Sequence, residues 1–276
     1  MRQTCVVCRV ERTVPAWDRS WQPPARWRLV APADGFMAGR LMAPIEPIPD
    51  GELVSGPIRI DAWSDVACPW CYIGKRNLEA GIAAYRASGG ERGVEVVYRS
   101  FELAPDTPVD FDGTELDYLA RIKGIGRAEA QAMLDRVAGI AAGVGLRFDF
   151  GSVRHTRTVK AHQLLHLARA RGVQAEMAER LFSAYFVEGR HIGRNEELAD
   201  LAERTGLDPA EVLRLLEDGE HLADVEADQE RARAYGIRGV PFYVLDERYA
   251  LSGAHPPEAF AAAIRQVADE LELASA

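Results

Sequence analysis

The chain has 276 residues, 47% of them apolar, and a formal charge of −9, enough for one sizeable core plus a second helical unit or an insertion. The acidic balance excludes a nucleic-acid partner, which needs clustered Lys and Arg on a face of positive potential. No apolar run reaches the roughly 18 residues of a membrane span, and Arg2, Arg9, Glu11 and Arg12 interrupt the apolar core that a secretory signal requires. The expectation is a cytoplasmic protein with no membrane partner.

Residues 1–53 contain Trp17, Trp21 and Trp27 with many Pro and Arg and no apolar period of 2.0 or 3.6, so they read as a poorly ordered extension. Up to Gly51 this segment holds seven Arg against five acids, and the shift to a more acidic remainder marks a domain boundary there. Translation from a misplaced start, with Met42 as the true one, is an alternative source of this segment. It carries Cys5-Val6-Val7-Cys8, whose spacing is repeated in Cys68-Pro69-Trp70-Cys71. Four cysteines are too few for a disulfide-stapled scaffold. The 59 residues separating the pairs far exceed the roughly 12–20 of a compact zinc module, so no metal is expected.

Residues 54–112 read as a βαβ unit. Ile58 to Trp63 alternates apolar and polar positions as a strand. A short loop, Ser64 to Ala67, leads to C-P-W-C, and Ile73, Leu78, Ile82 and Tyr85 then recur at helical spacing up to Ser88-Gly89-Gly90. Pro69 falls in the first helical turn, where its missing N–H is harmless. Val94 to Phe101 reads as a second strand. Residues 113–235 are helical in pattern throughout, with helices expected over 114–122, 127–144, 156–171, 174–186, 195–205, 209–216 and 219–234. Residues 236–276 revert to strands at 240–245 and 249–252 and a helix at 257–271, a ββα unit. The fold class is therefore α/β, interrupted by a large all-helical insertion.

The setting of Cys68 and Cys71, directly after a strand and opening a helix, is that of a redox dithiol. Only a thiolate attacks a disulfide sulfur. Cys68 at the helix N-cap would be exposed and ionised, its anion stabilised by free N–H groups and the positive end of the helix dipole. Cys71, one turn deeper, would resolve the mixed disulfide. Pro69 and Trp70 tune the site, with the indole offering a face to an incoming peptide. The carboxylates Asp61 and Asp65 would raise the pKa of a neighbouring thiol or take its proton. Cys5 and Cys8 lack this context and earn no redox role. Pro241 begins a strand that should lie inside the sheet. An ordinary trans bond is one reading; a cis Val240–Pro241 bond, turning the Val240 backbone toward a substrate strand, is the other.

Three stretches, Asp65 to Gly74, Glu188 to Gly193, and Gly236 to Phe260 with its Ser252-Gly253-Ala254-His255-Pro256-Pro257 turn, together resemble the DsbA-like branch of the thioredoxin superfamily, and within it the FrnE-like members with an inserted helical domain. The resemblance spans about residues 57–272. It implies a thioredoxin-like fold, Cys68 as nucleophile, Cys71 as resolving thiol, a cis Pro241 facing them, and a thiol–disulfide oxidoreductase acting on protein or small-molecule substrates as a monomer or homodimer. No cofactor is implied beyond the dithiol, with glutathione as a candidate co-substrate. Arg157-Thr158 departs from the Asn-Ser or Asn-Thr step usual ahead of Ala161-His162. His162 and His166 have a metal-compatible i, i+4 spacing, but packing or surface roles are the preferred reading. The alternatives are a glutathione-dependent isomerase or transferase of the 2-hydroxychromene-2-carboxylate isomerase or kappa-class type, and a non-catalytic peptide-binding module.

Overall fold

A computed structural model describes residues 28–30, 41–43 and 56–275; Cys5 and Cys8 lie outside the described residues. Nine helices and six strands occur among them: β1 (Arg28–Val30), β2 (Leu41–Ala43), β3 (Ile58–Ser64), α1 (Pro69–Ala87), β4 (Val94–Ser100), α2 (Glu115–Lys123), α3 (Arg127–Gly143), α4 (Val159–Ala170), α5 (Gln174–Phe186), α6 (Asn195–Glu203), α7 (Pro209–Asp218), α8 (Leu222–Ala234), β5 (Phe242–Leu245), β6 (Tyr249–Ser252) and α9 (Pro257–Ser275). The strand order is β1-β2-β6-β5-β3-β4. The short strands β1 and β2 sit at the β6 edge, and Met42 is in register with Ala250. The thioredoxin-type α/β expectation with a helical insertion is met, since α2 to α8 all fall between β4 and β5.

The described residues form two compact units. One comprises Trp63–Ile73 and Tyr98–Val240; the other comprises Gly74–Val97 and Pro241 onward, with the start of β3. In the second unit the β5–β6 hairpin pairs Phe242 with Ser252 and Leu245 with Tyr249. Asp246 and Glu247 take positive φ at its tip, which closes so short a connection. Asp246 N–H donates to Arg59 O at 2.7 Å, tying the tip to β3.

Two glycines let α1 approach its neighbours. A Cβ on Gly74 would lie 2.3 Å from the Tyr243 hydroxyl, and one on Gly81 would lie 2.5 Å from Phe260 Cβ and 2.8 Å from Pro257 O. Gly81→Ala is therefore expected to destabilise the protein by about 1–3 kcal/mol through overpacking, although Ala is the better helix former by about 1 kcal/mol. A denaturant titration with an unchanged or higher midpoint would refute it. The Ser252 to Pro257 turn is anchored to α1, because Asn77 Nδ2 donates to His255 O at 2.8 Å and His255 Nε2 donates to Ser252 O at 3.1 Å.

In the first unit the residue after the second cysteine organises the aromatic packing. Tyr72 stacks on Phe182 at 4.9 Å and on Phe148 at 5.9 Å, and its hydroxyl donates to Glu179 Oε1 at 2.6 Å. Ring pairs of this kind add about 0.5–1.5 kcal/mol beyond their buried area. The Glu188 to Gly193 stretch is a packed turn: Gly189 has φ +63 and a Cβ there would lie 2.7 Å from Ser152, while one on Gly193 would lie 2.2 Å from Thr156 Oγ1.

Several boundaries differ from the sequence expectation. Helix α4 begins at Val159 rather than 156, because the Thr156 hydroxyl donates to Val109 O at 2.7 Å and holds the preceding segment extended. Helix α8 begins at Leu222 rather than 219, since Gly219 and His221 both take left-handed φ. Strand β5 begins at Phe242 rather than 240, and α9 continues past 271 to Ser275.

Candidate active site

β3 ends at Ser64, and the chain turns through Asp65, Val66 and Ala67 before α1 starts at Pro69. Cys68 N–H donates to Asp65 O at 3.0 Å, closing that turn. The Cys68 carbonyl accepts from Cys71 N–H at 3.0 Å and Tyr72 N–H at 3.4 Å. Cys68 thus occupies the N-cap, with Pro69 as the first helical residue. The first turn of α1 contains no acidic side chain, which leaves the positive end of its dipole to the sulfur.

The expected exposure of Cys68 is corrected. Cys68 is 0% exposed and Cys71 2%, and both are thiols rather than a disulfide. Within the same unit, Cys68 Sγ lies 3.8 Å from Val240 O and donates to it. A carbonyl oxygen accepts from an S–H but repels S⁻, so this arrangement holds the thiol form. Trp70 is also buried, 7% exposed, and its indole N–H has no acceptor among the described residues. Pro241 precedes β5 in the other unit, and its carbonyl accepts from Gly253 N–H at 2.8 Å.

Asp65 is the site residue whose role could not be assigned from sequence. It is 2% exposed; its Oδ1 accepts from Ala67 N–H at 3.2 Å and its Oδ2 from Leu103 N–H at 2.8 Å. His162 Nε2 of α4 lies 3.6 Å from Oδ1, an ion-pair distance beyond hydrogen-bond range. Burial pushes the Asp65 carboxyl pKa up, but His162 and the two backbone N–H groups outweigh it, and the net shift is downward. Asp65 is therefore a buried carboxylate tied to the loop that carries Cys68. Asp61, by contrast, pairs with Arg59 at 3.1 Å.

His162 and His166 are both buried rather than on the surface. They serve different carboxylates: His166 Nε2 lies 3.3 Å from Asp228 Oδ2 and 3.1 Å from Ser100 Oγ. Arg157, at the position where the resembled family carries Asn, reaches Glu102 through Nε at 3.1 Å and Nη2 at 3.4 Å. The i, i+4 histidine spacing was visible in the sequence. Their carboxylates, nearly a hundred residues before one histidine and some sixty after the other, were not.

A C-x-x-C pair at the N-terminus of the first long helix, on a thioredoxin-type α/β frame with an inserted helical lobe, defines the class of thioredoxin-fold proteins. The model of the DSBA-like thioredoxin domain matches residues 59–265, and the chain belongs to that family. It is 39% identical to a probable DsbA oxidoreductase from Streptomyces coelicolor, covering 76% of this chain and 89% of that one with a TM-score of 0.71. It is 28% identical over 212 residues to the uncharacterized protein YwbO of Bacillus subtilis, covering 75% of this chain and 96% of that one. The cytosolic disulfide reductase DsbM from Pseudomonas aeruginosa, 22% identical with a TM-score of 0.55 over 78% of this chain and 99% of that one, shares the fold. No described helix is long and apolar enough to cross a membrane.

Proposed function

We propose that the chain is a thiol–disulfide oxidoreductase working through Cys68 and Cys71 on protein or small-molecule substrates in the cytoplasm, with no cofactor beyond the dithiol and glutathione as a candidate co-substrate. The observation that carries this reading is Cys68 at the N-cap of α1 with Cys71 one turn inward. In the reductive direction the Cys68 thiolate attacks a substrate disulfide; that S–S bond breaks and the departing sulfur takes its electron pair. Cys71 then loses its proton and bonds to Cys68 sulfur, the mixed disulfide breaks, and the second substrate sulfur leaves as a thiol after taking up a proton. The substrate gains two electrons and the chain becomes the Cys68–Cys71 disulfide; the oxidative direction is the reverse.

Burial of Cys68 adds a step. The segment at Val240 must move aside before a substrate sulfur reaches Cys68, and the same movement removes the carbonyl that disfavours the anion. The helix N-terminus then acts on the sulfur unopposed by that dipole.

Cys71→Ser tests the reading, because it leaves the attacking thiol but removes the resolving one. The expected result is a mixed disulfide trapped on Cys68 during incubation with a disulfide substrate, seen by mass spectrometry under non-reducing conditions, with multiple turnover lost. Full turnover with no adduct would instead favour a glutathione-dependent isomerase or transferase, in which a single sulfur suffices.

A further inference from the structure

The pairing of Asp65 with His162 has a consequence for the dithiol. Asp65 belongs to the turn that presents Cys68: its backbone carbonyl accepts the Cys68 N–H and its side chain accepts the Ala67 N–H. A charge on that buried carboxylate therefore sits on the turn that carries the sulfur, in a water-poor environment where Coulomb interactions are strong. Its field also reaches the hydroxyls of Tyr118 on α2 and Tyr185 on α5, both of whose pKa values are raised, burial being the largest cause and Asp65 one of the lesser ones.

The group that can cancel this charge is His162. It is 1% exposed, and neither ring nitrogen has a hydrogen-bond partner among the described residues. The imidazole thus faces Asp65 without the competing hydrogen bonds that usually fix a buried histidine in one protonation state. An imidazole gains or loses its proton between about pH 5 and 8, where no other ordinary side chain does. The other ionisable groups near Asp65 are Tyr185 on α5, Tyr118 and Glu115 on α2, and His155, which with Asp65 and Tyr118 lines a small cavity. His155 Nδ1 and Glu115 Oε2 bond each other at 2.9 Å, so that pair forms a separate unit of charge.

We propose that His162 is a positioning residue that sets the net charge beside the dithiol. Holding its proton, it neutralises Asp65 and favours the Cys68 thiolate; without it, the lone carboxylate disfavours that thiolate. This rests on the reading that Cys68 is the attacking sulfur. It assigns no bond making or breaking to His162.

The test is a pH titration of thiolate absorbance in the ultraviolet, taken for each variant as the difference from the same variant carrying Cys68→Ser, in a Cys71→Ser background. His162→Gln is expected to lower the ratio of thiolate to thiol at Cys68 by about tenfold in mildly acidic buffer, and Asp65→Asn to raise it. The double variant Asp65→Asn with His162→Gln, with neither charge present, is expected to return close to the parent. Superposition of His162→Gln on the parent would overturn the proposal. So would a double variant as displaced as His162→Gln alone, the signature of a damaged loop rather than a changed charge. If Cys71→Ser forms no mixed disulfide on Cys68 with a disulfide substrate, the nucleophile assignment fails, and this inference with it.

Discussion

Cys68→Ser should abolish thiol–disulfide exchange, with turnover of a peptide disulfide falling by a factor of about 10³ or more. A serine hydroxyl is not ionised near neutral pH and forms no bond of useful lifetime with sulfur, so both steps of the exchange are lost. The fold should be little affected, because the hydroxyl can occupy the sulfur's place and donate to Val240 O, as the thiol does now at 3.8 Å. The midpoint of chemical denaturation is expected within about 1 kcal/mol of the parent. Turnover above a tenth of the parent rate would remove Cys68 from the mechanism, and with it the functional reading. The comparison with Cys71→Ser separates the two sulfurs, since only that variant should accumulate a covalent adduct.

Asp228→Ala should give the largest loss of stability, about 3–5 kcal/mol, because it breaks a buried ion pair and the hydrogen bonds around it. Asp228 is 4% exposed and joins four elements of the first unit. Its Oδ1 accepts from Arg99 Nη1 at 3.1 Å and its Oδ2 from Ser100 N–H at 3.0 Å; His166 Nε2 is 3.3 Å away, and the backbone carbonyl accepts from Trp63 Nε1 at 3.0 Å. Truncation removes the first three, among them the ion pair of a 9%-exposed arginine side chain. The matched control is Asp224→Ala, whose 56%-exposed carboxylate pairs with His221 at the surface and should cost less than about 1 kcal/mol.

The same residue predicts an acid-side trend. Burial raises the Asp228 pKa, but His166, the Ser100 N–H and Arg99 together overcome it, and the folded-state pKa lies below the ordinary value. A carboxylate of this kind contributes stability that is fully present above its unfolded pKa of about 3.9 and is lost as pH falls through the lower folded value. The stability gap between the parent and Asp228→Asn should therefore narrow as pH falls below about pH 4. A gap that widens in acid would contradict the assigned sign.

Much of the architecture was legible because it is written in local patterns. Alternation over Ile58 to Trp63, helical spacing after Cys71, and the Asp246-Glu247 turn each depend on neighbours in sequence, and each element appeared where expected. The misjudged boundaries share a cause: a side chain or left-handed residue imposed by a distant partner or a tight junction, as at Thr156 and His221. Histidines were the least legible residues. Nothing adjacent to His162 or His166 indicates that each meets a buried carboxylate, since Asp65 is about a hundred positions earlier and Asp228 about sixty positions later.

What the amino-acid order determined by itself is the chemistry on offer: two sulfurs three residues apart, a proline suited to a first helical turn, and a strand before them to hold the turn in place. These follow from backbone geometry and helix-end electrostatics, which act over a few residues. Whether the first sulfur is open or covered, and which charges surround it, was decided only when Val240 closed over Cys68 and α4 brought His162 to Asp65. Burial and long-range pairing are properties of the packed chain, because each depends on residues that only folding brings together.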